Sequence, residues 1–197
     1  MKPRIPHPAE AMILAKLSEN VIERATHIRL MVFDVDGILT DGSLWYGDQG
    51  EVLKRFHVLD GHGLKMLTTS GISVALMTAR DGPILAWRAA ELGIKHVLQG
   101  VRDKAQTLVE LAQSLNVSNE EVGYMGDDII DLSAMQRAGL AMTVPNAPPY
   151  IAQGAHWVSN LPGGQGAVRE CCDMILASQG KLAPFLLGST VGTGVIQ

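Results

Sequence analysis

Cysteine is scarce in this chain: Cys171 and Cys172 are the only two among 197 residues. As chain neighbours they are poorly placed to bridge each other without strain, so no disulfide is expected and both read as packing residues. An excess of basic residues is lacking too. Lys and Arg number 16 against 20 Asp and Glu, a formal charge of -4, which offers no field to draw in nucleic acid or an anionic membrane. An anionic ligand would have to find its positive charge inside the site. Long apolar runs are missing: stretches such as Ile28 to Phe33 are far too short to span a bilayer, and the opening Met-Lys-Pro-Arg-Ile-Pro-His has no apolar signal region. A cytoplasmic protein without membrane contact is the expectation, and it leaves the glycosylation triplet Asn116-Val117-Ser118 without weight. Internal repeats and dividing linkers are absent, so one domain is expected over 1–181. The Gly-, Ser- and Thr-containing stretch 182–197 has no helical or strand period and reads as a mobile tail.

What is present is enough apolar content, 47%, for one full core in a single domain. Met12, Ile13, Leu14, Leu17, Val21 and Ile22 recur at helical spacing and predict one amphipathic leading helix over 8–25. Ile28 to Asp34 is a short, nearly continuous apolar run ending in acid, the pattern of a strand buried on both faces of a parallel sheet. Similar runs lie at Ser73–Thr78, His96–Leu98, Val122–Met125, Leu140–Val144 and His156–Val158, with helical stretches at about 82–93, 102–116, 129–138, 147–154 and 166–179. The alternation predicts an α/β fold: a Rossmann-like parallel sheet flanked by helices, with ligands at the carboxyl ends of the strands. Ser43 to Val58 interrupts it with a predicted β-hairpin that turns at Gly-Asp-Gln-Gly. Leu44, Trp45, Tyr46, Val52, Leu53, Phe56 and Val58 must then pack on the core or on another subunit, because an isolated hairpin is marginal in water.

The sharpest feature is Phe33-Asp34-Val35-Asp36-Gly37-Ile38-Leu39-Thr40-Asp41. In extended chain Asp34 and Asp36 face the same side, and two close carboxylates suit a nucleophile working with a general acid. The same residues would also make an acidic turn after a strand. A second acidic group, Asp127-Asp128-Ile129-Ile130-Asp131, follows another apolar run. Asp127 is a candidate Mg²⁺ ligand, and Asp131, four residues on, could steady it; a helix N-cap is the alternative for Asp127. Thr78 at a strand end and Lys104 near a helix start are donors suited to phosphoryl oxygens, each unremarkable alone. The order of two acids, then Thr, then Lys, then acids is what gives the set its weight.

These four segments resemble the signature motifs of the haloacid dehalogenase superfamily, covering Asp34 to Asp131 in the expected order. The resemblance implies that Asp34 takes the phosphoryl group and Asp36 protonates the leaving alcohol. It implies Thr78 and Lys104 as phosphoryl holders and Mg²⁺ bound by Asp34, the main-chain carbonyl of Asp36 and Asp127, with Asp128 and Asp131 in support. Only a hairpin follows the first motif, where many relatives insert a cap domain, so the chain is similar to the capless branch. Arg55-Phe56-His57-Val58-Leu59-Asp60-Gly61-His62-Gly63-Leu64-Lys65 and Gly163-Gly164-Gln165-Gly166-Ala167-Val168-Arg169-Glu170 are similar to one family there, the 3-deoxy-D-manno-octulosonate 8-phosphate phosphatases of lipopolysaccharide precursor synthesis. That likeness implies a homotetramer whose hairpins help to close the site, and Gly61, Arg80 and Arg169 as further substrate contacts. Leu59 and Ala79 depart from the family's usual Arg and Gly. The nearest alternative is the same chemistry on another sugar acid, such as a nine-carbon acid 9-phosphate. A signalling receiver would place its phosphoacceptor on a later strand, and a non-catalytic assembly module would have no use for the full set of acids.

Overall fold

A computed structural model of the chain describes residues 5–188. Two short helices come first, α1 (Pro8–Leu14) and α2 (Glu19–His27), followed by strand β1 (Leu30–Phe33) and a two-stranded antiparallel hairpin, β2 (Trp45–Gly47) with β3 (Gly50–Leu53). Then come α3 (Val58–Thr69), β4 (Ser73–Met77), α4 (Pro83–Leu92), β5 (His96–Leu98), α5 (Lys104–Ser114) and β6 (Val122–Met125). The chain continues through α6 (Leu132–Met135), β7 (Leu140–Thr143), α7 (Pro149–Ala152), β8 (Trp157–Val158), α8 (Ala167–Ser178) and α9 (Ala183–Leu186).

Six strands form one parallel sheet in the order β5-β4-β1-β6-β7-β8. Alternate residues of a strand face opposite sides, and both sides are covered. Met31, Phe33, Val74, Leu76 and Met125 pack with Leu64 of α3 and with Cys171 and Cys172 of α8, both free and buried. Leu30, Val32, Ala75, Met77 and Tyr124 pack with Leu108 of α5 and Met135 of α6 on the other face. The chain leaves β1 toward β4 and β5, then crosses back to β6 on the other side of β1. Strand order reverses there, which opens a crevice beyond the carboxyl ends of β1 and β6 where α/β sheets bind ligands.

Several elements differ from the pattern reading. The single leading helix is two, because Ser18 accepts the N–H of Val21 at 3.3 Å and caps a new start at Glu19. The hairpin strands end at Leu53, and α3, which no periodicity announced, begins at Val58. Gly61 and Gly63 interrupt its apolar stripe, and their bare faces admit neighbours: a methyl at Gly61 would sit 2.3 Å from Arg88 Nη2, and one at Gly63 would sit 3.1 Å from Cys172 Cβ. The helix expected over 129–138 starts as a 3-10 turn, Ile129–Asp131, before α6. Residues 182–188 of the expected tail begin with α9, and Leu182 is buried on the core; 189–197 lie outside the described residues.

Candidate active site

Asp34 follows the last residue of β1, its main-chain N–H donating to the Met125 carbonyl at 2.9 Å so that the strand register carries it to the crevice. Its carboxylate is buried and accepts from Lys104 Nζ at 2.5 Å. Lys104 is the first residue of α5, which Asp103 caps through the N–H of Gln106. The same ammonium donates to Asp131 Oδ1 at 2.6 Å. Burial opposes the charge on Lys104, yet the attraction of Asp34 and Asp131 outweighs it and raises its pKa, so the group is a fixed cation. Burial, and then repulsion from Asp131, hold the Asp34 carboxyl well above the ordinary carboxylate range despite Lys104.

Asp131 is saturated by its surroundings. One oxygen accepts from Lys104 and from the Tyr124 hydroxyl at 2.6 Å, the other from the N–H groups of Asp127 at 3.2 Å and Asp128 at 3.1 Å. Burial followed by the nearby Asp131 and Asp34 charges raises the Tyr124 pKa well above its usual value, so the phenol stays a donor. Asp131 thereby steers Lys104 and the turn that carries Asp127. Asp128 faces solvent and caps the 3-10 turn through the Ile129 N–H at 2.7 Å.

Asp127 points back at the loop after β1. A methyl on Gly37 would lie 2.1 Å from Asp127 Oδ2, so the bare glycine, at φ +99°, makes room for that carboxylate. Burial, then Asp131 and Asp128, push Asp127 up to about 7. Ligand oxygens of Asp34, Asp127 and Asp131 lie within 4.8 Å of one another. Two carboxylates driven toward protonation by burial and like charge form a donor set that a divalent cation fits, since it removes the cost of ionising both.

The Asp36 carboxylate has a separate set of partners. It accepts from Lys54 Nζ, lies 3.4 Å from Thr78 Oγ1 and 3.9 Å from Arg80 Nε. Thr78 is buried just past β4 and its hydroxyl accepts the Arg80 N–H at 3.1 Å. Arg80 donates to the Tyr46 hydroxyl at 2.8 Å, reaching across to the hairpin. A cavity of about 220 Å³ opens here, lined by Glu51, Lys54, Thr78, Arg80 and Gln99 among others.

Asp34, Asp36, Thr78, Lys104, Asp127, Asp131 and Arg80 are thus brought together. Gly61 and Arg169 stand apart from them: Gly61 faces Arg88 and Leu92, and the Arg169 guanidinium donates to Asp173 at 2.8 Å. Lys54, Glu51 and Tyr124 escaped the sequence reading. Lys54 and Glu51 sit in or beside a hairpin strand where charged residues are ordinarily solvated, and the only hint for Tyr124 was a polar tip inside an otherwise apolar strand.

A family model for haloacid dehalogenase-like hydrolases matches residues 86–167. A 3-deoxy-D-manno-octulosonate 8-phosphate phosphatase of Yersinia pestis is 46% identical over 84% of this chain and 89% of its own length. The corresponding protein of Escherichia coli K12 is 43% identical over 84% and 88%. A crystal structure of the Moraxella catarrhalis enzyme, in complex with a magnesium ion, a phosphate ion and a KDO molecule, superposes with a TM-score of 0.84 at 39% identity, covering 88% of this chain and 100% of that one. With identity at this level over most of each partner, the chain belongs to the 3-deoxy-D-manno-octulosonate 8-phosphate phosphatases, a family of haloacid dehalogenase-like hydrolases.

Proposed function

We propose that this protein hydrolyses 3-deoxy-D-manno-octulosonate 8-phosphate to 3-deoxy-D-manno-octulosonate and phosphate, with Mg²⁺, in lipopolysaccharide precursor synthesis. The observation that carries the reading is the buried Asp34 carboxylate, aligned by Lys104 at 2.5 Å and facing Asp127 across the crevice between β1 and β6. Asp34, Asp127 and the main-chain carbonyl of Asp36 would hold the ion. When bound, Mg²⁺ offsets the crowded negative charge and draws electron density from the phosphoryl oxygens.

The residues divide the reaction into two displacements. An Asp34 oxygen attacks phosphorus, the bond to the sugar oxygen breaks, and Asp36 gives its proton to that leaving oxygen. Asp36, now ionised, takes a proton from water as the water oxygen attacks phosphorus, and the bond to Asp34 breaks to release phosphate. Lys104 and Thr78 are donors for phosphoryl oxygens as charge shifts onto them, a role that needs fixed, preorganised dipoles. Arg80, which lines the cavity, is the candidate cation for the sugar-acid carboxylate, while Arg169 would serve only if its guanidinium left Asp173 or acted on a neighbouring subunit's site.

Assembly as a homotetramer belongs to the same reading. Its support is the hairpin, where Trp45, Tyr46 and Val52 are 56%, 61% and 61% exposed in the single chain. Cytoplasmic residence rests on the substrate, a charged ester that does not cross a bilayer unaided. No helix of the described residues is long and apolar enough to cross a membrane.

The test is phosphate release from the octulosonate 8-phosphate with and without Mg²⁺, beside a panel of other sugar-acid phosphates. Asp34→Asn should fold and assemble but lose turnover by at least about 10⁴-fold, because no covalent path remains. Full activity in that variant would refute the assignment.

A further inference from the structure

The ammonium of Lys54 has no role in the two displacements, yet the fold goes to some length to hold it. Its side chain is 7% exposed, and a buried charge is costly unless it is paired. It is paired twice: its Nζ donates to Asp36 Oδ1 and lies 2.9 Å from Glu51 Oε1. Glu51 in turn lies 3.6 Å from Arg80, whose Nε is 3.9 Å from the other Asp36 oxygen. Two cations and two carboxylates, Asp36 among them, close a ring; Glu51 and the Tyr46 that anchors Arg80 lie in the hairpin, and Lys54 directly follows it.

We propose that Lys54 is a positioning residue for Asp36: its ammonium, clamped by Glu51, fixes the orientation of the carboxyl group that hands a proton to the leaving oxygen. The inference rests on the acid role given to Asp36 above. Asp36 Oδ1 is taken by Lys54, which leaves Oδ2, 3.4 Å from the Thr78 hydroxyl on the cavity wall, as the oxygen to meet the substrate. A carboxyl group free to rotate would present that oxygen only part of the time, and general acid catalysis needs it within hydrogen-bond reach. The hairpin then acts on the chemistry as well as on whatever surface it covers.

A positioning role predicts a loss that depends on how badly the leaving group needs a proton. The experiment uses the full chain with Mg²⁺ and a series of simple esters without any sugar acid: p-nitrophenyl phosphate, phenyl phosphate and small alkyl phosphates. Lys54→Met should lower kcat/KM, which reports the steps up to loss of the alcohol and not the water attack common to all the esters, about 100-fold on the alkyl esters and no more than about threefold on the nitrophenyl ester, whose leaving group departs unaided. Lys54→Arg should recover much of the alkyl activity. Activity on the nitrophenyl ester also shows that each variant is folded. In an Asp36→Asn background, which already has the steep dependence, Lys54→Met should steepen it no further. A fall in kcat/KM of equal size across the series overturns the proposal. A steepened Asp36→Asn beside an unaltered Lys54→Met sinks the proposal alone, whereas an Asp36→Asn enzyme with the wild-type profile sinks the acid assignment with it.

Discussion

Gly37 shows how tightly single atoms are specified around the acids. Its φ of +99° already disfavours a side chain, and the space a methyl would need is filled by the Asp127 carboxylate. Gly37→Ala should therefore displace Asp127, raising the Mg²⁺ concentration for half-maximal activity by about 10- to 100-fold, the range found when a metal ligand's support is disturbed. A Mg²⁺ titration of phosphatase activity reads this directly, and an unchanged midpoint would contradict the placement. Asp127 also sets a pH dependence. Its folded value of about 7 lies above the ordinary carboxylate range, so the folded metal-free protein holds a proton that the unfolded chain has released. Stability of the metal-free protein thus falls as pH rises from the ordinary carboxylate range to about 7, then levels off. Mg²⁺ prefers the ionised form and reverses that loss. The rise in Tm on adding Mg²⁺ should be larger near pH 8 than near pH 6, and the activating Mg²⁺ concentration should climb by at least about tenfold per unit below about pH 7, since Asp34 is raised as well. Equal increments in Tm at both pH values would count against a cation at Asp127.

Between elements, α3 and α8 brace the catalytic loop. Gly166 opens α8 without a side chain to cap it, and Asp60 of α3 supplies the missing acceptor, taking the N–H groups of Gly166 at 3.3 Å and Arg169 at 2.8 Å. Ahead of α8, the Gly164 N–H donates to the Ile38 carbonyl at 2.9 Å, and a methyl on Gly163 would lie 1.7 Å from the Gly37 carbonyl oxygen. Asp60→Ala should cost about 1–3 kcal/mol of stability in urea unfolding, with Asp60→Asn costing less because one acceptor survives. Equal stability of both variants and wild type would show the cap to be idle. None of this bracing was legible in the sequence, because Asp60 and Gly166 are 106 residues apart and the glycines of α3 hid its period. The strands were legible, since a strand buried on both faces must be apolar throughout, and so was the order of acids, Thr and Lys at their ends. Asp36 was legible as an acid but not its partner Lys54, 18 residues on in a hairpin whose charges have no local reason to be buried. Ser18 does not stand out as a cap in the sequence because the apolar spacing runs through it into α2.

For the molecule as a whole, the proposed assembly would be joined to the chemistry through the hairpin. A two-stranded hairpin is marginal on its own in water, and here its outer side chains Trp45, Val52 and Leu53 are exposed while its inner charges hold Asp36 and Arg80. Covering the apolar side with a neighbouring subunit would stabilise the strands and, through Lys54 and Glu51, steady the acid. Dissociation should then lower kcat as well as mass. Val52→Asp places a charge on the exposed strand without touching Lys54, and should shift the protein toward smaller species in light scattering. Its activity should fall on dilution and recover at high concentration, with the loss larger for alkyl than for nitrophenyl esters because proton delivery suffers first. If the wild type proved monomeric and kept its full rate at every dilution, the exposed strand would need another explanation, and the coupling between assembly and acid would be lost with it.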